Sequence, residues 1–559
     1  MEFRSNSLSV LAPLALMLFV SAMSGCGSGS SSSSDATPTA TSKPPTASTT
    51  PAPVPPPAPA PKPAPAPVPP PAPAPVPKPA PAPAPTPAPP PVAAGDACLP
   101  STMPSTDALF NSSKRVFAHY FHPFPVSIDN APPASDYYNR NYLNPTGEAS
   151  KFVKQGGFLR QRPLGVPASS KPNWVQLNME GEIRSAIARG ITGFTFDSLS
   201  ANDATDANSA LHLMLAAAHA VDSRFKIVVM PDLTVLGTDS NAVVEIIASV
   251  AADPAAYHLS DGRLVVSAFD AGLNAPSWWQ SVISRLGSQG IHIAFVPTFL
   301  AWPATADAFA AFSYGFGDWG AATVAGSGAM VGDPDIIHKT YSKIFMMPVD
   351  PQQYRPKDFV YWEAANSATY RSAWTSSIQG DADWVQLVTW NDFSESATVA
   401  PFTDATLQRN IGTGYYNLTG YYAGWFLTGQ QPQITHDVLY YFYRRETTAA
   451  AAPAQGQKDA IATGVAENSI ELLAFLTSPG LLKIAVGGKT YTQNAAAGMV
   501  SFKIPSQAGT PVFTLSRNGA DVFSLQGGVA IYGSGGLPSG YQDLTYWSGS
   551  ASKAGVCSL

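Results

Sequence analysis

The chain is predicted to be an α/β protein in which a (β/α)8 barrel is followed by a C-terminal β-sandwich, with a signal peptide and a disordered Pro/Ala-rich linker ahead of both. Three observations carry that expectation. Short apolar or β-branched runs alternate with helix-like segments from Arg115 to Arg445, a length suited to an eight-stranded barrel with insertions. From Asp459 onward, alternating runs recur with no helices between them. Before either region lies a Pro-Ala repeat that can build neither helix nor sheet.

At the N-terminus, Leu8 to Met23 is apolar. It is long for a secretory core and short of the roughly twenty residues needed to cross a bilayer. It runs into Ser24-Gly25-Cys26, small residues before a cysteine as in a bacterial lipobox, so Cys26 is the expected lipidation site and residues 1–26 the expected leader. Simple secretion is the alternative, since Glu2 offsets Arg4. Residues 27–98 then read as a linker: a Ser-rich tract from Ser28 to Ser34, and proline alternation from Pro51 to Pro91 with Lys62 and Lys78 as its only charges. As a polyproline rod rising about 3.1 Å per residue, it would hold a domain on the order of 130 Å from its anchor.

The barrel domain is expected over residues 99–446. Its strands are predicted at Val116–Phe121, Ile191–Phe196, Lys226–Met230, Leu264–Phe269, Ile291–Val296, Ala311–Tyr314, Lys343–Pro348 and Trp384–Trp390. Helix-like segments between them include Met179–Arg189, Ser209–Val221, Ala242–Ala252 and Trp278–Leu286. Alternation repeated this often implies a parallel sheet, and eight strands imply closure.

Chemistry in such a barrel sits at the C-terminal strand ends. Those ends carry His119, Asp197, Asp232, Asp270, Asp350, Asp392 and Glu395. Any one aspartate is equally explained as a helix cap or turn residue, and Asp197 and Asp232 are the most open to that reading. The stretch Thr389-Trp390-Asn391-Asp392-Phe393-Ser394-Glu395-Ser396 differs, because an apolar strand ends there in two acids framed by an indole and an amide. Paired carboxyls suit glycoside hydrolysis, in which one protonates the leaving oxygen and the other activates water or attacks the anomeric carbon. Asp392 and Glu395 are thus the candidate catalytic pair. Glu395 is assigned as acid from its higher intrinsic pKa, and Asp392 as base. Substrate contacts are expected from His119, Tyr120, Asp197, Asp232, Asp270, Trp390 and Asn391.

No His-x-x-x-His or paired-cysteine spacing, phosphate-binding Gly loop or Gly-x-Ser-x-Gly elbow occurs, so neither metal nor cofactor is expected. A net charge of −6 without a Lys/Arg cluster argues against nucleic acid as a partner. After an Ala-rich linker, Thr447 to Gln457, runs at Ser469–Phe475, Leu482–Val486, Met499–Ile504, Val512–Ser516 and Val522–Leu525 predict a β-sandwich over 458–559 that packs against the barrel. With Cys26 lipidated, Cys98 and Cys557 remain to pair in an oxidising compartment.

Trp390-Asn391-Asp392-Phe393-Ser394-Glu395-Ser396 resembles the Trp-Asn-Asp-aromatic-Gly-Glu-Ser signature of glycoside hydrolase family 71, the α-1,3-glucanases or mutanases. Phe117–Tyr120, Ala188–Phe194, Asp261–Asp270, Phe345–Pro351 and Thr435–Arg444 look like further segments of that family, so the resemblance spans most of residues 115–445. It implies a barrel that hydrolyses α-1,3-linked glucan with inversion and without a cofactor, its catalytic pair falling on Asp392 and Glu395. Three departures stand out. Ala397-Thr398-Val399 replaces the family's His-Tyr-Ile, Ser394 replaces a Gly, and Asp270 stands where a Glu is common.

The resulting expectation is a monomeric, surface-anchored lipoprotein of the bacterial cell envelope, or a secreted protein, that cuts α-glucan. Gly27 after the lipidated cysteine is compatible with outer-membrane sorting. The alternatives are a glycan-binding lipoprotein without catalysis and a hydrolase of another α-linked polysaccharide such as α-mannan.

Overall fold

The computed structural model describes residues 96–404, 409–410, 412–450 and 458–557. The expected leader, the lipidation site Cys26 and the Ser- and Pro/Ala-rich linker lie outside these residues, as does most of the expected second linker. No helix among the described residues is long and apolar enough to cross a membrane.

Eight parallel strands close a barrel: β1 (Arg115–Tyr120), β2 (Gly193–Ser198), β3 (Lys226–Pro231), β4 (Leu264–Ala268), β5 (Ile293–Phe299), β6 (Gly315–Asp318), β7 (Ile344–Val349) and β8 (Trp384–Leu387), with β8 hydrogen-bonded back to β1. Each strand is followed by a helix: α1 (Trp174–Ile187), α2 (Ala210–Val221), α3 (Ser240–Val250), α4 (Pro276–Ser288), α5 (Trp302–Phe309), α6 (Asp333–Tyr341), α7 (Ala368–Gln379) and α8 (Gly414–Thr428). Some of the helices start where the sequence supplies a cap or a proline. Ser209 accepts from the backbone N–H of His212, Asp239 from those of Asn241 and Ala242, and Pro276 opens α4. The buried face of α3 follows helical spacing through Ala242, Val243, Ile246, Ile247 and Val250.

Alternation along the strands sorts side chains between two cores. Val116, Ala118 and Tyr120 face the helices, whereas Phe117 joins Val228, Val265, Val296, Met346 and Trp384 in filling the lumen. One expected strand is displaced: the sixth, placed at Ala311–Tyr314, lies at Gly315–Asp318.

The C-terminal region forms two antiparallel sheets with a common core. Five strands, β9 (Val438–Arg444), β10 (Ser469–Leu476), β13 (Gly498–Pro505), β16 (Tyr546–Ser552) and β17 (Gly555–Val556), make one sheet. The other contains β11 (Gly480–Val486), β12 (Lys489–Ala495), β14 (Val512–Arg517) and β15 (Ala520–Gln526). Although β9 falls within the barrel domain expected to end at residue 446, it pairs on one side with β10 and on the other with β16. Its alternate residues serve both neighbours. Val438, Tyr440 and Phe442 pack in the barrel's outer core, and Leu439, Tyr441 and Tyr443 in the sandwich core. The described barrel and sheets therefore share one compact unit. A disulfide joins Cys98 to Cys557 across a sequence separation of 459.

Candidate active site

Beyond β8 the chain forms a short hairpin, with Asn391–Asp392 paired antiparallel to Ala397–Thr398. Phe393 to Ser396 make the turn, in which Ser396 takes a left-handed conformation, φ 53°. The Asp392 carboxylate organises this turn. Its Oδ1 accepts from the N–H of Ser394 at 2.8 Å, the Ser394 hydroxyl at 2.7 Å and the N–H of Glu395 at 3.1 Å. The Ser that departs from the family's Gly thus donates directly to Asp392. From below, Thr389 Oγ1 accepts the N–H of Asp392 at 2.7 Å and donates to the carbonyl of Ala397 at 2.8 Å.

Glu395 is held from the segment following β7. Oε1 is 2.8 Å from Nη2 of Arg355, Oε2 accepts from Nε2 of Gln353 at 2.6 Å, and its carbonyl accepts the N–H of Tyr354 at 2.7 Å. The Glu395 side chain keeps 15% of its surface exposed, while Asp392 is buried. Burial, augmented by the charge of Glu395, raises Asp392 to about 6.

Other acids ring the same end of the barrel. Asp197 (β2) and Asp350 (after β7) are raised well above the usual carboxylate value by burial and by neighbouring carboxylates: Asp232, Asp392 and Asp203 act on Asp197, Asp318 and Glu395 on Asp350. Asp270 and Asp318 are both raised to about 6, chiefly by burial. His119 projects into this group, its Nε2 3.8 Å from Oδ1 of Asp197 and its ring 4.9 Å edge-on from Trp319. Burial lowers His119 to about 3, so the imidazole is neutral. At 3.8 Å, with the histidine uncharged, its contact with Asp197 is neither a hydrogen bond nor an ion pair.

Asp232 lies in the ring but caps the short helix Leu233–Leu236, its Oδ1 accepting from the N–H and the hydroxyl of Thr234. Asp270 sits at the mouth in a left-handed conformation, φ 47°. Among the described residues, no group of three or more His, Cys, Asp or Glu is arranged to hold a metal ion.

Three residues expected to contact substrate are packed away from the lumen. Tyr120 is fully buried behind the barrel wall and donates to Oε2 of Glu182 at 2.9 Å. Trp390 is buried on the same side, with its Nε1 donating to Oε1 of Glu182 at 3.2 Å and its ring 5.5 Å from that of Phe194. Asn391, also buried, accepts the N–H of Phe121 at 2.7 Å and donates to the carbonyls of Phe121 and Phe124. Its amide is spent on fixing the loop after β1. The signature's aromatic and amide are thus scaffolding, and His119, one position before Tyr120, is the residue that faces the lumen.

Sequence reasoning missed Asp318, Trp319, Gln353, Arg355 and Glu182. Asp318 was hidden by the misplaced sixth strand, and Trp319 follows it directly. Gln353 and Arg355 lie about forty residues from Glu395 in an unremarkable segment. Glu182 sits in an amphipathic helix like any surface acid, yet burial raises it to about 7. Cavities of about 430 and 310 Å3 occur at the opposite end of the barrel, lined by Tyr314, His338 and Lys343 in one and by Arg115, Lys226 and His258 in the other. Neither contains paired carboxylates.

Comparison with known proteins gives this mouth a family. A glucan endo-1,3-alpha-glucosidase of Schizosaccharomyces pombe is 26% identical over 63% of this chain and 86% of its own length. A mutanase of Penicillium rubens is 24% identical over 42% of this chain and 52% of its own. Among solved structures, the GH99 endo-alpha-mannosidase from Bacteroides thetaiotaomicron covers 56% of this chain and 97% of its own at 18% identity, with a TM-score of 0.42. That likeness is too loose to bear on the site. The model of glycosyl hydrolase family 71 matches residues 168–559, taking in α1, seven barrel strands and both C-terminal sheets, and the chain belongs to that family.

Proposed function

We propose that the protein hydrolyses α-1,3-glucosidic bonds in α-glucan, with inversion, through Asp392 and Glu395. The observation that carries this reading is their joint placement on one turn at the C-terminal end of β8, in a mouth lined by buried carboxyls. The substrates named for the relatives support the choice of glucan. Asp392 is the base. Three donors hold Oδ1 and leave Oδ2 for water, and a value near 6 makes it a stronger base than an exposed aspartate while it stays ionised at neutral pH. Glu395, the more exposed of the two, takes up a proton from solvent as the arriving glycosidic oxygen displaces Arg355 beside it, and passes that proton to the leaving oxygen. Substrate hydroxyls meet Asp197, Asp270 and His119. Cys26 anchors the chain through lipid, with the Pro/Ala segment as its stalk, outside the cytoplasm.

Reducing-end release from insoluble α-1,3-glucan by the full chain tests this reading, alongside Asp392→Asn and Glu395→Gln. A loss of about 10²- to 10⁴-fold is expected in each variant. Wild-type release by both would remove the pair from the chemistry. Retention of Cys26→Ala in the membrane fraction would remove the anchor.

A further inference from the structure

The four residues from Gln352 to Arg355 follow β7 and alternate between two tasks. Gln353 and Arg355 reach Glu395, at 2.6 Å and 2.8 Å. Gln352 and Tyr354 reach the C-terminal region instead. The Gln352 side chain matches a strand's hydrogen-bonding edge: Oε1 accepts the N–H of Tyr546 at 2.7 Å and Nε2 donates to its carbonyl at 3.2 Å. Tyr354 is buried, and its hydroxyl donates to Oδ2 of Asp459 at 2.5 Å, with the carbonyl of Gln542 also within 3.0 Å. The same Tyr354 also gives its N–H to the Glu395 carbonyl.

Further contacts link this segment, or the turn carrying the two acids, to its surroundings. Residues Val360–Trp362, antiparallel to Gln353–Arg355, pair in parallel with Ala460–Thr463. The guanidinium of Arg355 lies 5.1 Å over the ring of Trp362. Phe393, between the two acids in sequence, is fully buried in the hydrophobic core shared with Leu472, Ile484, Phe513 and Trp547 of the sheets.

We infer that the C-terminal β-sandwich is a positioning element of the active site, setting the place of Glu395 through Gln352 and Tyr354. This rests on Glu395 being one of the catalytic pair. An independent glycan-binding module would touch the barrel through surfaces remote from the acids. Here one strand-like segment has its odd-numbered side chains on the acid and its even-numbered ones on the module, so a shift of the module is transmitted along a backbone with no slack. A misplacement of about 1 Å can cost on the order of 10²-fold in rate. Gln352 and Tyr354 are positioning residues, since neither side chain reaches the Glu395 carboxylate.

The test uses the full chain with Tyr354→Phe, which keeps the ring and removes the hydroxyl, and Gln352→Glu, which keeps the acceptor for Tyr546 N–H and loses the donor. Lys483→Ala, at an exposed ion pair on the outer sheet, is the control. The expected result is a fall in kcat of about tenfold in each positioning variant, with KM unchanged and the pH profile displaced, because Glu395's charge contributes to Asp392's titration. The control should match wild type. Wild-type kcat and pH profile in both positioning variants would overturn the inference, as would a loss that vanishes once rates are divided by the folded fraction from thermal unfolding. If Asp392→Asn and Glu395→Gln are inactive while both positioning variants behave as wild type, the inference fails and the catalytic reading stands. If those acid variants are fully active, the reading itself fails.

Discussion

The N–H of Glu395 donates to Oδ1 of Asp392 at 3.1 Å, so the two proposed catalytic residues belong to one hydrogen-bonded turn. A substitution that removes the Asp392 oxygen also frees the backbone of its partner. Asp392→Ala should therefore lose more activity than Asp392→Asn, which retains the Oδ1 acceptor. Initial rates on α-1,3-glucan, normalised to folded protein, test this ordering.

With Asp392 as base, activity falls as pH drops through about 6, where the carboxylate takes up its proton. The acid limb of kcat/KM should decline about tenfold per unit below that point. Azide, a nucleophile that needs no base, should partly restore Asp392→Ala and leave Glu395→Gln unchanged. Rescue of the Glu395 variant alone would exchange the two roles.

Glu182 receives Tyr120 from the end of β1 and Trp390 from just beyond β8, closing the seam beside the Asp392–Glu395 turn. In Glu182→Gln one carboxylate oxygen becomes an NH2 group facing a donor. The variant should lose about 1–3 kcal/mol of stability, measured by urea unfolding, while Glu180→Gln, two residues earlier on the same helix and paired to the half-exposed Arg184, should lose far less.

Asp197 keeps its proton in the folded chain at pH values where an unfolded aspartate has already released it. Folding then binds a proton, so the stability this residue contributes is full below the ordinary carboxylate value and declines as pH rises beyond it. Asp197→Asn abolishes that decline. The Tm of the variant minus that of wild type should become more positive between pH 4 and pH 8, and an unchanging difference would contradict the buried-acid account.

How much of this was legible in the sequence depends on which physical signal each feature leaves. Seven barrel strands announced themselves as apolar runs, because their outward residues must meet helices. The sixth did not. In Gly315-Phe316-Gly317-Asp318, a Cβ on Gly315 would lie 2.2 Å from the Ile344 side chain, and one on Gly317 would lie 2.9 Å from Thr298 Oγ1. Close approach there demands glycine, which removes the β-branched pattern and hid Asp318. The Trp390–Ser396 signature located the acids, yet the chain leaves the β8 strand after Leu387 and Trp390 packs in the outer core, away from the mouth. Arg355 and Gln353 left no local signal, because their meaning is a contact across the fold. The β9 run, apolar on both faces, was read as a segment following the barrel and not as a strand shared between the barrel and the sandwich.

The disulfide Cys98–Cys557 fastens the start of the described chain to its end. Tyr440, in β9, donates to the Cys98 carbonyl at 2.8 Å, so this staple lies against the shared strand. Cys98→Ser with Cys557→Ser should cost about 2–5 kcal/mol, read from unfolding without reductant.

The most direct test of the account follows the anomeric proton of the first product by NMR during hydrolysis of an α-1,3-glucan oligosaccharide. The account predicts that the β-anomer appears first and mutarotates to the equilibrium mixture, and that neither Asp392→Asn nor Glu395→Gln produces it at a comparable rate. Initial release of the α-anomer, or undiminished release by both variants, would contradict it.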